Sequence, residues 1–155
     1  CPCLMRINLV IIVKTAIMYY IKSIMKNTIF KLTEYVYYFS LFVLLILYLF
    51  PGSLIGYFLY GNLGQQPDLI TNPIGTSINH LIFFSYITIL AMTARLRAKN
   101  ILTNYRFILF ISCVLEILHF IVPNRAFEPY DLLANFTGVV IIILINSFTK
   151  WLKHL

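Results

Sequence analysis

An all-α bundle of membrane-crossing helices is the fold class this sequence predicts, and three observations predict it. Hydrophobic residues make up 61% of the 155 positions and charged residues only 11%, too few polar side chains to cover a water-soluble globule of this size. The mean hydropathy is +0.88, and the apolar residues gather into runs near the length needed to cross a bilayer. No ten-residue alternation of the barrel type is visible, and in lipid only helices and closed barrels satisfy their own backbone.

Four runs read as transmembrane helices. The first covers about Glu34 to Phe50 and is stopped by Pro51-Gly52-Ser53, after which "LIGYFLYG" continues apolar to Gly61. Either the helix kinks at Pro51 or a short interfacial piece follows. The second covers about Ile78 to Ala94, the third Tyr105 to Val122 with Pro123 ending it, and the fourth Pro129 to Phe148. Ahead of them, Ile7 to Ile21 is apolar but short, and Lys14 in its middle is costly at bilayer depth. Three readings stay open for residues 1–24: an interfacial helix, a fifth crossing, or upstream translation, with Met5 and Met25 as candidate starts. Residues 25–155 read as one transmembrane domain.

The basic residues fix an expected orientation. Lys22, Lys26 and Lys31 precede the first helix, Arg95, Arg97, Lys99 and Arg106 bracket the second loop, and Lys150 and Lys153 follow the fourth helix. Gly61 to Ser77 holds no lysine or arginine, and the loop after the third helix holds Arg125 alone. Cationic loops stay on the cytoplasmic side, so both termini are expected inside and the loops after helices one and three outside. The net charge of +7 is thereby a topology signal, and nucleic acid is not expected as a partner.

Polar residues inside spans are costly and gather where the chain needs them. Asn79 and His80 lie at the outer end of the second helix, Glu116 and His119 in the outer half of the third, and Asp131 and Asn135 open the fourth. Glu116 and His119 are three apart and share a helix side; Asp131, Asn135 and Gly138 form one stripe, with Gly138 small enough to admit a neighbouring helix. Arg125 is expected within reach of Glu116, Glu128 and Asp131, neutralising the cluster where membrane meets water. Asp131, just after Pro129, also favours the positive end of a helix dipole. No serine or cysteine nucleophile sits in a recognisable motif: Cys113 reads as an inert buried thiol, and Cys1 and Cys3 form neither a redox pair nor a zinc spacing. A catalytic residue is therefore not assigned. One Glu-x-x-His element without a second copy does not make a di-metal site, so no metal is expected, and no nucleotide, haem or flavin motif is present.

The run "LEILHFIVPNRAFEPYDLLANFTGVV" resembles the signature of VanZ-like membrane proteins: a third-helix Glu-x-x-Gln, an arginine, then Asp-x-x-x-Asn-x-x-Gly opening the last helix. Here the pattern falls on Glu116, Arg125, Asp131, Asn135 and Gly138. "NHLIFFSYITILA" similarly resembles the family's Asp-Lys-x-x-His-x-x-x-Tyr element, with His80 as its histidine. His119 replaces the usual glutamine, and Phe84 stands at the tyrosine position. The resemblance implies a small multi-pass protein of the bacterial inner membrane. The family's founding member is linked to low-level teicoplanin resistance, and its molecular activity is unsettled. On this reading His80, Glu116, His119, Arg125, Asp131, Asn135 and Gly138 form an outward polar cluster that binds an envelope lipid or glycopeptide-type ligand. The alternatives are an accessory subunit packed on partner membrane helices, favoured by an aromatic content of 16%, and an intramembrane metal-dependent enzyme.

Overall fold

The computed structural model describes residues 2–67 and 75–154, with backbone alone for 2–14 and Thr76. Five helices occur in the order α1 (Pro2–Leu49), α2 (Leu54–Tyr60), α3 (Gly75–Ala94), α4 (Tyr105–Leu118) and α5 (Pro129–Leu152). No strand occurs among the described residues.

α1 runs unbroken over 48 residues, so the N-terminal apolar run and the first expected span are one helix. Lys22, Lys26 and Lys31, expected ahead of the first span, lie on its turns. Pro51 disfavours helix at the residue before it and stops α1. Gly52 makes the turn at φ 88°, and a Cβ there would stand 2.8 Å from the Leu63 carbonyl oxygen. Ser53 then caps α2, its Oγ accepting from Gly56 N at 2.9 Å. A separate short helix, rather than a kink in α1, is what Pro51-Gly52 produces.

The core lies where α1, α3, α4 and α5 meet. Tyr37, Leu41, Leu44 and Tyr48 form one face of α1 at helical spacing; Phe84, Ile87, Ala91 and Ala94 meet it from α3, with Ile108 and Leu115 from α4 and Val139 from α5. α3 and α5 pack most closely. A Cβ at Gly138 would come within 2.5 Å of the Leu81 carbonyl oxygen, so only glycine lets the two backbones approach this far. Ser85 Oγ donates to Gly138 O across the contact at 3.2 Å.

Two ends of the bundle differ in chemistry. At one, the 95–104 turn packs on α1: Arg97 pairs with Glu34 at 3.3 Å, Tyr37 OH donates to Leu102 O, and Asn100 Nδ2 donates to Tyr38 OH at 2.6 Å. The other end gathers the C-termini of α1 and α4 with the N-termini of α3 and α5.

Three stretches are long and apolar enough to cross a membrane among the described residues: Thr15–Leu49, Ser77–Ala94 and Pro129–Leu152. Their outward faces carry leucine, isoleucine and phenylalanine, the surface a lipid solvent selects. α4 is shorter than expected. It has 14 residues, about 21 Å at 1.5 Å per residue, against a hydrocarbon core of about 30 Å. Beyond Leu118 the backbone tightens, with His119, Phe120 and Ile121 each donating three residues back. Pro123 and Asn124, the latter at φ 57°, complete the turn.

Candidate functional site

The polar end is built by four helices, each delivering side chains from a terminal turn. His80 comes from α3, Glu116 from the last turn of α4 with His119 as its cap, and Asp131 and Asn135 from the first turns of α5. Glu116 and Asn135 are 0% exposed, His119 3% and Asp131 4%. Such groups are tolerated in a core only when bonded.

Asn135 is the hub. Its Nδ2 donates to Ser112 O and to Glu116 Oε2, both at 3.4 Å, which turns its Oδ1 toward Tyr48 OH at 3.0 Å and His80 Nδ1 at 3.1 Å. Tyr48 OH also lies 2.7 Å from His80 Nδ1. The far ring nitrogen, His80 Nε2, faces Asp131 Oδ2 at 3.3 Å, while Asp131 Oδ1 accepts from Ser77 Oγ at 2.5 Å. Glu116 Oε1 meets His119 Nδ1 at 3.2 Å and accepts from Glu128 N at 3.3 Å. The His119 ring stacks on Tyr48, centroids 5.2 Å apart and planes inclined by 16°.

Six of the seven sequence-predicted residues thus gather at one end. Gly138 acts one turn away, as the close-approach point between α3 and α5. Arg125 takes a different role from the expected one. Among the described residues it forms no ion pair with Glu116, Glu128 or Asp131; its NH2 donates to Leu47 O at 2.8 Å. Leu47 O in the last turn of α1 has Pro51 four residues on, which has no N–H to donate, and it carries the negative end of the dipole, so it competes for a guanidinium with carboxylates already bonded elsewhere. Burial lowers the Arg125 pKa from its usual value, and the negative ends of Tyr48, Glu116 and Asp131 oppose the shift. Glu128 in the same loop moves the other way. Its carboxyl is raised by burial and by the like charges of Asp131 and Glu116.

Two members escaped the sequence reading. Tyr48 sits in an aromatic-rich helix where tyrosine is the common interface anchor, and only its 4-3-4 spacing from Tyr37, Leu41 and Leu44 marks it as inward. Ser77, just ahead of the expected second helix, gave no pattern at all.

Beside this network lies a cavity of about 140 Å³, walled by Tyr48, Asn79, His80, His119 and Arg125 together with Gln66 and Pro67 of the irregular segment after α2. Among the described residues, three buried side-chain polar atoms have no hydrogen-bond partner: Asn79 Oδ1, His119 Nε2 and Arg125 Nε. All three belong to residues that wall this cavity. Their chemistry is mixed: a carbonyl that accepts, a guanidinium N–H that donates, and an imidazole nitrogen. A small group carrying both hydroxyls and negative charge would satisfy the set, and the carboxylates of Glu116 and Asp131 are held behind the wall by their own partners.

In comparison with known proteins, the chain matches no protein-family model, no curated protein and no solved structure.

Proposed function

We propose that this chain is a VanZ-like multi-pass protein of the bacterial inner membrane, whose polar end binds the anionic or hydroxyl-rich headgroup of an envelope lipid or glycopeptide-type ligand near the outer leaflet. The observation that carries the reading is that the three buried polar atoms without a partner among the described residues all belong to residues lining one cavity. Unbonded polar groups in a core are expensive, and a ligand that bonds them recovers that cost.

Four crossings fit this reading, with α4 and the turn to Val122 completing the span that α4 alone is too short to make. The charge distribution supports cytoplasmic termini. Arg95, Arg97 and Lys99 lie at the end of the bundle opposite the cavity, next to Glu34 of α1, and Lys150 and Lys153 close α5. Arg125 supplies the contact to the anion, with Asn79 and His119 orienting hydroxyls around it.

The test is lipid retention. Protein purified in mild detergent and sprayed intact for mass spectrometry should carry a phosphate-bearing lipid in preference to a neutral one of equal chain length. Arg125→Gln should lose the preference while eluting as wild type. Equal retention of both lipids by the wild type sinks the reading. Teicoplanin tolerance of a sensitive bacterium expressing each form gives the cellular counterpart, with membrane levels matched by blot.

A further inference from the structure

His80 presents its two ring nitrogens to different neighbours. Nδ1 is held by Tyr48 OH at 2.7 Å and Asn135 Oδ1 at 3.1 Å, while Nε2 faces the carboxylate oxygen Asp131 Oδ2 at 3.3 Å. Imidazole nitrogen and carboxylate oxygen at that separation are bridged either by a proton or by a metal ion that both ligate.

Charge favours the metal ion. Glu116 and Asp131 are two buried carboxylates that, among the described residues, form ion pairs only with imidazoles. The nearby guanidinium, Arg125, spends its NH2 on the α1 carbonyl at Leu47. A divalent ion balances both carboxylates in surroundings that do not solvate them.

The geometry agrees. His80, Glu116 and Asp131 each offer one donor atom within 4.8 Å of the others. Two ligands on one first-row ion, at bond lengths of about 2.0–2.2 Å, stand about 3.0–3.5 Å apart, so the His80–Asp131 separation is already an edge of a coordination polyhedron. Closing Glu116 onto the same ion takes a movement of at most about 1.3–1.8 Å, the difference between 4.8 Å and such an edge. Each donor is also aimed by a neighbour: Ser77 holds Asp131 Oδ1, His119 and the Glu128 amide hold Glu116 Oε1, and Tyr48 with Asn135 hold His80 Nδ1. His119, whose buried Nε2 is without a partner among the described residues, walls the cavity that His80 also walls.

We propose that His80, Glu116 and Asp131 form a binding site for one divalent transition-metal ion at the polar end of the bundle. One imidazole and two carboxylates suit manganese, iron(II), cobalt or zinc; the absence of a thiolate disfavours copper(I), and the nitrogen ligand disfavours magnesium and calcium. The single Glu-x-x-His element, incomplete on its own helix, is completed by α3 and α5 rather than by a second copy. Only Glu116 of that element ligates, and His119 positions it.

The site is tested with metal alone and no added lipid, so its failure is separable from failure of headgroup binding. Full-length protein in detergent is stripped with chelator and titrated with Co2+ while the visible d–d bands are followed, and Mn2+ and Zn2+ then compete for the same site. The expected result is about one equivalent per chain, with His80→Gln and Asp131→Asn each weakening binding at least tenfold. His154→Gln, an exposed histidine at the far end, controls for adventitious surface binding and should leave the titration unchanged. His119→Gln keeps all three ligands and should weaken binding about tenfold while preserving the band positions. Glu116→Gln is read only where its helicity and elution match wild type. Wild-type protein of native helicity that takes up no cobalt overturns the proposal, as does Asp131→Asn binding as tightly as wild type.

Discussion

Tyr48 ties α1 to the polar cluster through one hydroxyl, which touches both His80 and Asn135. Tyr48→Phe removes that oxygen and leaves the ring stacked on His119, so the loss is the hydrogen bonds alone, about 1–2 kcal/mol. The measurement is unfolding in detergent by denaturant titration. Asn135→Leu is harsher: it strips Glu116, Tyr48 and His80 of a partner at once, and about 3–5 kcal/mol should be lost. Glu128 offers a pH test. Its carboxyl holds a proton more tightly in the folded chain than in the unfolded one, so the folded state binds more protons and stability falls as pH rises from the ordinary carboxylate value through the raised one. Glu128→Gln should flatten the melting temperature over that acid range, by roughly 1–2 °C because the group is solvent-screened. At this scale the sequence was informative about membership and poor on partners. Spacing put Glu116 with His119 on one helix side and Asp131 with Asn135 on one stripe, but which atom bonds which depends on where four helix ends stop. Arg125 shows the limit: carboxylates were its nearest partners along the chain, and the α1 carbonyl became its partner in space.

Helix ends, more than helix faces, decided what was legible among the elements. Proline and glycine punctuation located the end of α1 and the start of α5 within a residue or two, because Pro51 and Pro129 act on the backbone locally. The close of α4 was misread by four residues, since tightening into three-residue turns costs little and leaves no mark in composition. Lys22, Lys26 and Lys31 resembled a loop for a similar reason: charge reports where solvent is, not where a helix ends. Gly138 gives the sharpest test of helix pairing. Gly138→Ala places a methyl against the Leu81 backbone, which has no rotamer to yield, and the α3–α5 contact must open. About 1–3 kcal/mol should be lost, with Gly138→Leu worse still, read as a drop in the temperature at which the detergent-solubilised protein aggregates.

At the scale of the molecule, a bundle with one basic end and one polar-cluster end has a definite orientation to test. Single cysteines introduced at Gln66 and Ala126 should react with an impermeant maleimide in intact spheroplasts, and ones at Lys99 and Lys153 should react only after lysis. The reverse pattern would invert the topology. The all-helical class followed from hydropathy alone, because a lipid solvent leaves few other options. The polar end was legible as a group for the same reason, since each ionisable residue in an apolar span stands out.

One consequence follows from α1. Its apolar stretch Thr15–Leu49 runs 35 residues, about 52 Å, while the hydrocarbon it must fit is about 30 Å deep. Tilt alone would need about 55°, beyond the roughly 0–40° that spanning helices adopt. The surplus must therefore leave the bilayer interior, and the exposed stretch 16–28, carrying Lys22 and Lys26, is the part that can. A helix of this kind works as a thickness gauge. In a thicker membrane more of its greasy rod is sheathed, so reconstitution into bilayers of increasing chain length should raise the protein's melting temperature until the rod is covered, and hold it level beyond.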